Sequence, residues 1–165
     1  MKNRELTVRQ LEKQARRLER RRRIRESISQ NGGDILHSVN FQKTRKNMQH
    51  GRVSVHSHSI SVAECSLSIR EKLQKLGIRS EERDIIRGAL LHDYFLYDWH
   101  EKDASHKWHG FHHAKRAWEN ALRDIPDLNE VEQDMIRCHM FPLNPIPPKY
   151  MEGWLLCCAD KICSG

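Results

Sequence analysis

The sequence lacks the features that mark membrane, secreted and β-rich proteins. No apolar run approaches the roughly 18 residues that a membrane-spanning helix requires, and the basic N-terminus is not followed by the apolar segment of a signal peptide. Aromatic residues make up only 7% of the 165-residue chain, and no segment shows the alternation of apolar and polar residues that is typical of strands. We therefore expect one cytoplasmic, all-α domain without a membrane segment.

Cysteine usage also argues against a secreted protein. The chain has five cysteines, an odd number, and they form no spaced CxxC pairs. This pattern indicates reduced, mostly buried thiols rather than a disulfide framework or a zinc ribbon.

The basic charge belongs to the N-terminal segment alone. Residues 1–30 hold 11 Lys/Arg and four Glu, a net of +7, which equals the formal net charge of the whole chain. Residues 31–165 are therefore neutral, and three interpretations of the segment stay open: a helix that is solvated or packed on the body, a helix that binds a protein partner or a second copy, and a contact to a polyanion such as nucleic acid.

The periodicity of apolar residues predicts a chain of helices and three segments. We expect a basic amphipathic N-terminal helix in residues 1–30, a linker and short helix in 31–47, and a helical domain in 48–165. A turn is expected at 30–34 and a polar loop at 99–108. The predicted helices cover residues 5–29, 41–50, 57–76, about 80 to 92, 111–122, 131–140 and 150–162.

The pair His92-Asp93 is the most informative feature of the sequence. It ends an apolar helical stretch, although adjacent helical residues point about 100° apart and rarely serve one site. A metal ion is one reason for such a pair, because imidazole nitrogen and carboxylate oxygen are both common ligands. Further candidates occur in order along the chain, at His58, His113, His139 and Asp160.

Two positions in this series have neighbours that compete for the same role. His56 lies two residues before His58, and on a helix only one of the two can face the site. His109 lies four residues before His113 and shares its helical face, so it is either the ligand or a donor behind it. His139 at a helix end could also be a capping residue rather than a ligand.

The ordered set resembles the HD-domain superfamily of metal-dependent phosphohydrolases. The local contexts agree with it: HSISVA at residues 58–63, ALLHD at 89–93 and ADK at 159–161. The resemblance implies an all-α HD-domain bundle in which His58, His92, Asp93 and Asp160 hold one metal. It further implies a second metal held by His113 and His139, with Asp93 as the bridge and Asp93 and His92 as the catalytic centre. A mixed His/carboxylate set suits one or two divalent ions of Fe, Mn, Co, Ni or Zn.

One departure from the family's pattern limits the choice of substrate. Many members carry a basic residue shortly after the HD pair, whereas this chain continues with Tyr94 and Phe95. The role of holding a phosphate, or of supporting a ligand, then falls to other basic residues, for which the candidates are Lys107, Lys115, Arg116 and Lys161.

The resemblance implies hydrolysis of a phosphomonoester or phosphodiester, with a phosphorylated small molecule such as a nucleotide as the substrate. Two alternatives use the same residues. Some HD-fold relatives are di-iron oxygenases, and some HD modules sense nucleotides without catalysis. Turnover that depends on oxygen would favour the first, and the loss of ligands is typical of the second.

Overall fold

The structure, a computed structural model, describes residues 7–50, 53–96 and 109–164. Its elements in chain order are α1 (Val8–His37), α2 (Val39–Lys43), β1 (Met48–His50), β2 (Val53–Ser54), α3 (Val55–Lys75), α4 (Glu82–Leu91), α5 (His109–Asp124), α6 (Glu130–Cys138) and α7 (Met151–Ser164). The expectation of an all-α fold is confirmed. No helix in the described part of the chain is long and apolar enough to cross a bilayer.

Helix α4 is the centre of the bundle and packs against α1, α3, α6 and α7. Every residue from Asp84 to Leu91 is buried, as expected for a helix that is surrounded on all sides. Gly88 permits this packing, because a Cβ there would lie 2.6 Å from the sulfur of Met135 on α6. The central position of α4 brings its C-terminal residues, His92 and Asp93, into the interior.

The expected turn at residues 30–34 is wrong, because α1 continues through it to His37. Gly32 allows α1 to lie close to α4, since a Cβ there would be 2.5 Å from Cδ1 of Leu90. The carboxylate of Asp34 forms an ion pair with Arg87 at 2.5 Å, and the side chain of Arg87 is 1% exposed. Tertiary packing therefore overrides the turn propensity of the two adjacent glycines.

The two halves of α1 have different surroundings. Residues 7–19 are exposed throughout, whereas Ile24, Ile28 and Ile35 are buried in the core. Of the three interpretations of the N-terminal segment, packing on the body applies to its second half. The division of the chain into segments 1–30, 31–47 and 48–165 remains a prediction.

The segment before α3 differs from the expected helix at residues 41–50. Only α2 (Val39–Lys43) is helical, and an antiparallel hairpin of β1 and β2 follows, so the expectation of no strand is wrong at this point. The backbone here pairs with the start of α3, since Val55 N–H donates to the Asn47 carbonyl at 2.8 Å and His56 N–H to the Thr44 carbonyl at 3.3 Å. A longer α2 would have left these groups without partners.

The later helices lie close to their expected positions. Gly77 ends α3 with a positive φ of 81°, and Ile78 N–H donates to the Leu73 carbonyl at 3.1 Å, which is the bond of a Schellman motif. Asn129 and Glu132 form a capping box at the start of α6. The polar loop expected at 99–108 lies outside the described residues.

Candidate metal centre

The end of α4 explains how two adjacent residues face one centre. The helix ends at Leu91, and His92 is its C-cap. The chain turns at once, with Tyr94 N–H donating to the Leu91 carbonyl at 3.1 Å and Phe95 N–H to the Asp93 carbonyl at 2.7 Å. His92 still has helical dihedral angles, with φ −58° and ψ −36°, but the helix stops there. The two buried side chains converge, with Oδ2 of Asp93 3.2 Å from Nε2 of His92.

His92 and His139 are held in the same way at the ends of two helices. His92 Nδ1 lies 2.8 Å from the Ala89 carbonyl, and His139, the C-cap of α6, has Nδ1 2.8 Å from the Ile136 carbonyl. A carbonyl oxygen only accepts, so Nδ1 carries the proton in each ring and the lone pair of the neutral ring lies on Nε2. Both Nε2 atoms face the centre.

Asp93 uses its two carboxylate oxygens on two different sides. Oδ2 lies 3.2 Å from Nε2 of His92 and 3.7 Å from Nε2 of His58. Oδ1 lies 3.3 Å from Nε2 of His113 and 3.4 Å from Nε2 of His139. The donors thus form two groups of three residues, and Asp93 belongs to both. Within each group the donor atoms lie within 4.8 Å of one another.

Asp160 of α7 completes the first of these groups. Its Oδ1 lies 3.0 Å from Nε2 of His58 on α3 and 3.6 Å from Nε2 of His92. On the other side, the Nε2 atoms of His113 on α5 and His139 on α6 are 3.0 Å apart. Five helices therefore contribute to the centre, with the residues His58, His92, Asp93, His113, His139 and Asp160.

The centre is buried, and its charged groups depend on one another. Burial alone would raise the pKa of Asp93, but His92 and the neighbouring imidazoles hold it well below its usual value. Burial likewise opposes ionisation of Asp160, whose pKa His58 and His92 nevertheless hold low. Burial lowers the pKa of His139. Burial also opposes protonation of His92, but Asp93 and Asp160 raise the pKa of His92 well above its usual value. Two ionised carboxylates in the interior require a cation beside them.

The donor set fits a divalent transition metal. Imidazole and carboxylate donors are the ligands that such ions take, and two nitrogens about 2.1 Å from one ion at right angles are about 3 Å apart. Nε2 of His92 is buried and has no hydrogen-bond partner within the described residues. A buried ring nitrogen that faces carboxylate oxygens is costly unless a proton or a metal ion lies between them. One ion on each side of Asp93 would satisfy these groups.

The competing histidines are placed differently by the structure. His56 points away from the centre, with its ring centroid 5.2 Å from that of Phe41, so His58 is the residue of α3 that reaches the carboxylates. His113 reaches the centre from α5. The side chain of His109 lies outside the described residues.

The candidate basic residues lie around the centre rather than in it. Lys115 is 71% exposed and pairs with Glu119 on the surface of α5 at 3.7 Å. Lys161 donates to the Phe141 carbonyl at 3.1 Å. Arg116 is half-buried and follows His113 by three residues, so it lies on the same side of α5. Lys107 lies outside the described residues.

The comparison with family models decides the family. The model of the HD domain matches residues 55–164, well over half of the chain. The chain belongs to the HD domain family. Neither a comparison with curated proteins nor one with solved structures gave a match. The HD domain family consists in general of metal-dependent hydrolases, so the match and the buried His/Asp groups agree.

The main functional groups that the sequence did not reveal are backbone carbonyls. Those of Ala89 and Ile136 fix the proton on Nδ1 of two histidines. A backbone acceptor has no signature in the sequence. The only available signal was a histidine directly after a helix, a position where its ring can reach back to a carbonyl of the last turn.

Proposed function

We propose that this HD domain is a metal-dependent phosphohydrolase that cleaves a phosphomonoester or a phosphodiester, with nucleotides as the first substrate class to test. The observation that supports this best is the position of Asp93, whose two oxygens face two separate pairs of imidazoles. A carboxylate shared in this way suits a pair of neighbouring ions.

The residues divide into two groups around Asp93. His58, His92 and Asp160 with Oδ2 of Asp93 would hold one ion, and His113 and His139 with Oδ1 would hold the other. When bound, such ions make water acidic enough to supply hydroxide near neutral pH and offset the charge of a phosphoryl group. Ions of Fe, Mn, Co, Ni or Zn suit these donors.

Other groups of the protein orient the ligands and keep bulk water away from the centre. The carbonyls of Ala89 and Ile136 keep the Nε2 lone pairs of His92 and His139 directed inward. Tyr94 and Phe95, which are 1% and 0% exposed, keep bulk water away from Asp93 on the side of α4. Asp160 has 14% of its side chain exposed against 2% for Asp93, so a substrate would approach on the side of α7.

A basic residue beside the centre would bind the phosphoryl oxygens. Arg116 is the best candidate of the three described ones, because it shares a helical side with His113, whereas Lys115 pairs with Glu119 on the surface. Replacing Arg116 by Gln should raise KM for a phosphoester more than it lowers kcat, and should leave the metal content unchanged. We expect a smaller effect for Lys161→Gln, because that ammonium already donates to a carbonyl.

The deciding experiment combines metal analysis with a substrate panel. Protein purified without oxygen is assayed for bound metals, then for hydrolysis of p-nitrophenyl phosphate, its diester and nucleoside mono-, di- and triphosphates. Asp93→Ala should lower the occupancy of both groups. It should also reduce hydrolysis at least about 100-fold, because several kcal/mol of charge stabilisation would be lost.

His56→Ala is the matched control. His56 is a buried histidine of α3, the helix of His58, and its ring packs on Phe41 rather than facing the centre. It should keep its metal and its activity. Full metal content and full activity in Asp93→Ala would contradict the proposal. Substrate oxidation that requires oxygen, together with a mixed-valent di-iron signal in electron paramagnetic resonance, would assign the centre to an oxygenase. Nucleotide binding without turnover of any compound in the panel would assign it to a sensing module.

A further inference from the structure

The arginine run at residues 20–23, which dominates the basic segment in the sequence, is largely occupied by ion pairs within the protein. Arg20 and Arg23 both contact the carboxylate of Glu71 on α3, at 2.6 Å each. Arg22 pairs with Glu19 at 2.8 Å. These contacts hold α1 on the body and offset the positive charge locally. The run is therefore a poor site for an anionic partner.

A second basic group lies on the exposed first half of α1. One member, Lys13, has the others four residues before it and three and four residues after it, so they share one side of the helix. We call these residues the projecting basic face: Arg9, Lys13, Arg16 and Arg17. Arg16 lies 3.6 Å from Glu12, and the other three have no ion pair with any described residue. Together they extend over about 12 Å of helix axis.

The opposite side of the same helix argues against a lipid surface. Val8, Leu11 and Leu18 are exposed there, at 73%, 51% and 59%. Glu12 and Glu19 lie beside this apolar stripe, because they follow Val8 by four and eleven residues, which is close to one and three full helical turns. A helix that buried the stripe in an anionic membrane would bring both carboxylates to the headgroups, where they are repelled.

The chemistry of the projecting basic face favours a nucleic-acid duplex. Guanidinium and ammonium groups bind phosphates. Residues 7–19 contain no aromatic side chain, which stacking on unpaired bases would require. The length of about 12 Å matches three to four successive phosphates of one strand, which are about 3.4 Å apart along the axis.

We propose that the projecting basic face binds the phosphate backbone of double-stranded nucleic acid without sequence preference. Four side chains on a rigid helix can neutralise about four phosphates. The logarithm of the affinity should then fall with the logarithm of the salt concentration with a slope of about −3.6 for B-DNA. The inference is independent of the metal centre, because none of the proposed ligands lies on α1.

The test measures binding of the full-length protein to a short fluorescent DNA duplex, titrated at several salt concentrations. Replacing Arg9, Lys13 and Arg17 together by Gln should weaken binding and change the slope by about 1 per residue, to about −1. These side chains are exposed and form no ion pair within residues 7–50, 53–96 and 109–164, so the thermal unfolding of the variant should match that of the parent protein.

The matched control removes three exposed cations elsewhere. Three exposed cations lie near the end of α3: Lys72 and Lys75 within it, and Arg79 four residues after it. Replacing all three by Gln produces the same net charge as the triple variant on α1. This control should bind with the parent slope. An equal loss in both variants would show that only the net charge matters, and would overturn the proposal. Tighter binding to an unpaired strand, or to anionic vesicles, through the same three residues would also overturn it.

Discussion

The Nε2 atoms of His113 and His139 lie 3.0 Å apart and face each other. His139 has its proton fixed on Nδ1 by the Ile136 carbonyl, so its Nε2 offers a lone pair to this contact. These two imidazoles come from different helices, and both approach Oδ1 of Asp93, at 3.3 and 3.4 Å. They therefore form a donor group that can be removed separately from the one around His58.

The first prediction uses this separation. His113→Ala should lose about one equivalent of metal and keep the other, because the donors on the Oδ2 side of Asp93 remain. His58→Ala should instead empty the group that contains Asp160. Metal analysis of the two anaerobically purified variants measures the difference.

The neighbouring histidines provide the controls for this prediction. His56→Ala should retain the full metal content of the parent protein, since its ring packs on Phe41. His109→Ala tests the assignment on α5. If it removes the second metal while His113→Ala does not, our choice of His113 is wrong.

The second prediction concerns the two adjacent glycines of α1. Gly32→Ala should destabilise the protein by about 1–3 kcal/mol, because the new Cβ meets Leu90, a fully buried residue whose methyl group has little room to move. Gly33→Ala should be neutral or stabilise it by up to about 1 kcal/mol, since the nearest atom to its Cβ is 3.9 Å away. Urea unfolding of both variants measures the difference. Equal stabilities would mean that α1 does not pack this closely on α4.

The third prediction concerns acid stability. Arg123, Asn40 and Tyr94 donate to Asp124, and the ion pair with Arg123 above all lowers the pKa of Asp124 from 3.8 to about 2. Because the pKa is lower in the folded state, this carboxylate stabilises the fold above about pH 4, and its contribution disappears between pH 4 and pH 2. Asp124→Asn should therefore be less stable than the parent protein at neutral pH. The difference should shrink as the pH falls to 2.

Unfolding free energies measured between pH 2 and pH 7 check this prediction. Glu119→Gln is the control, because its carboxylate is 54% exposed and pairs with Lys115 on the surface at 3.7 Å. A stability difference for Asp124→Asn that stays constant over the whole range would refute the assigned direction of the pKa shift.

The fourth prediction concerns how much of the N-terminal segment can be deleted without loss of the fold. A chain lacking residues 1–19 should fold, bind metal and hydrolyse a small phosphoester, because residues 7–19 are exposed. A chain lacking residues 1–30 loses Ile24 and Ile28 as well, which are 6% and 3% exposed. Burial of such a side chain stabilises by about 1.5–3 kcal/mol. The longer deletion should therefore unfold at clearly lower temperature or be insoluble, and equal melting temperatures would contradict this.

The sequence predicted most of the helices because their apolar periodicity records which side is buried. It could not predict that α1 continues through Gly32 and Gly33, because this depends on close packing against α4. A Cβ at Gly32 would lie 2.5 Å from Cδ1 of Leu90, so only glycine fits there. The hairpin before α3 was missed for a similar reason, since it depends on backbone bonds to Val55 and His56. Contacts between distant segments leave no local pattern.

The candidate site was predictable in its residue types but not in its geometry. The motif indicated His58, His92, Asp93, His113, His139 and Asp160 because local contexts around each resemble one family. It indicated that a helix ends at the His92-Asp93 pair, which agrees with the end of α4 at Leu91. It did not indicate which oxygen of Asp93 faces which histidine. Those properties depend on how five helices pack.

Helices α4 and α6 both end at the centre, with His92 and His139 as their C-caps. The C-terminal end of a helix carries a partial charge of about −0.5, so the backbone adds to the negative potential that Asp93 and Asp160 create. A centre of this kind repels a phosphate group, and entering cations offset its negative potential. If a phosphoester is the substrate, we expect the metal to bind before the anion. Raising the substrate concentration would not compensate for a missing ion.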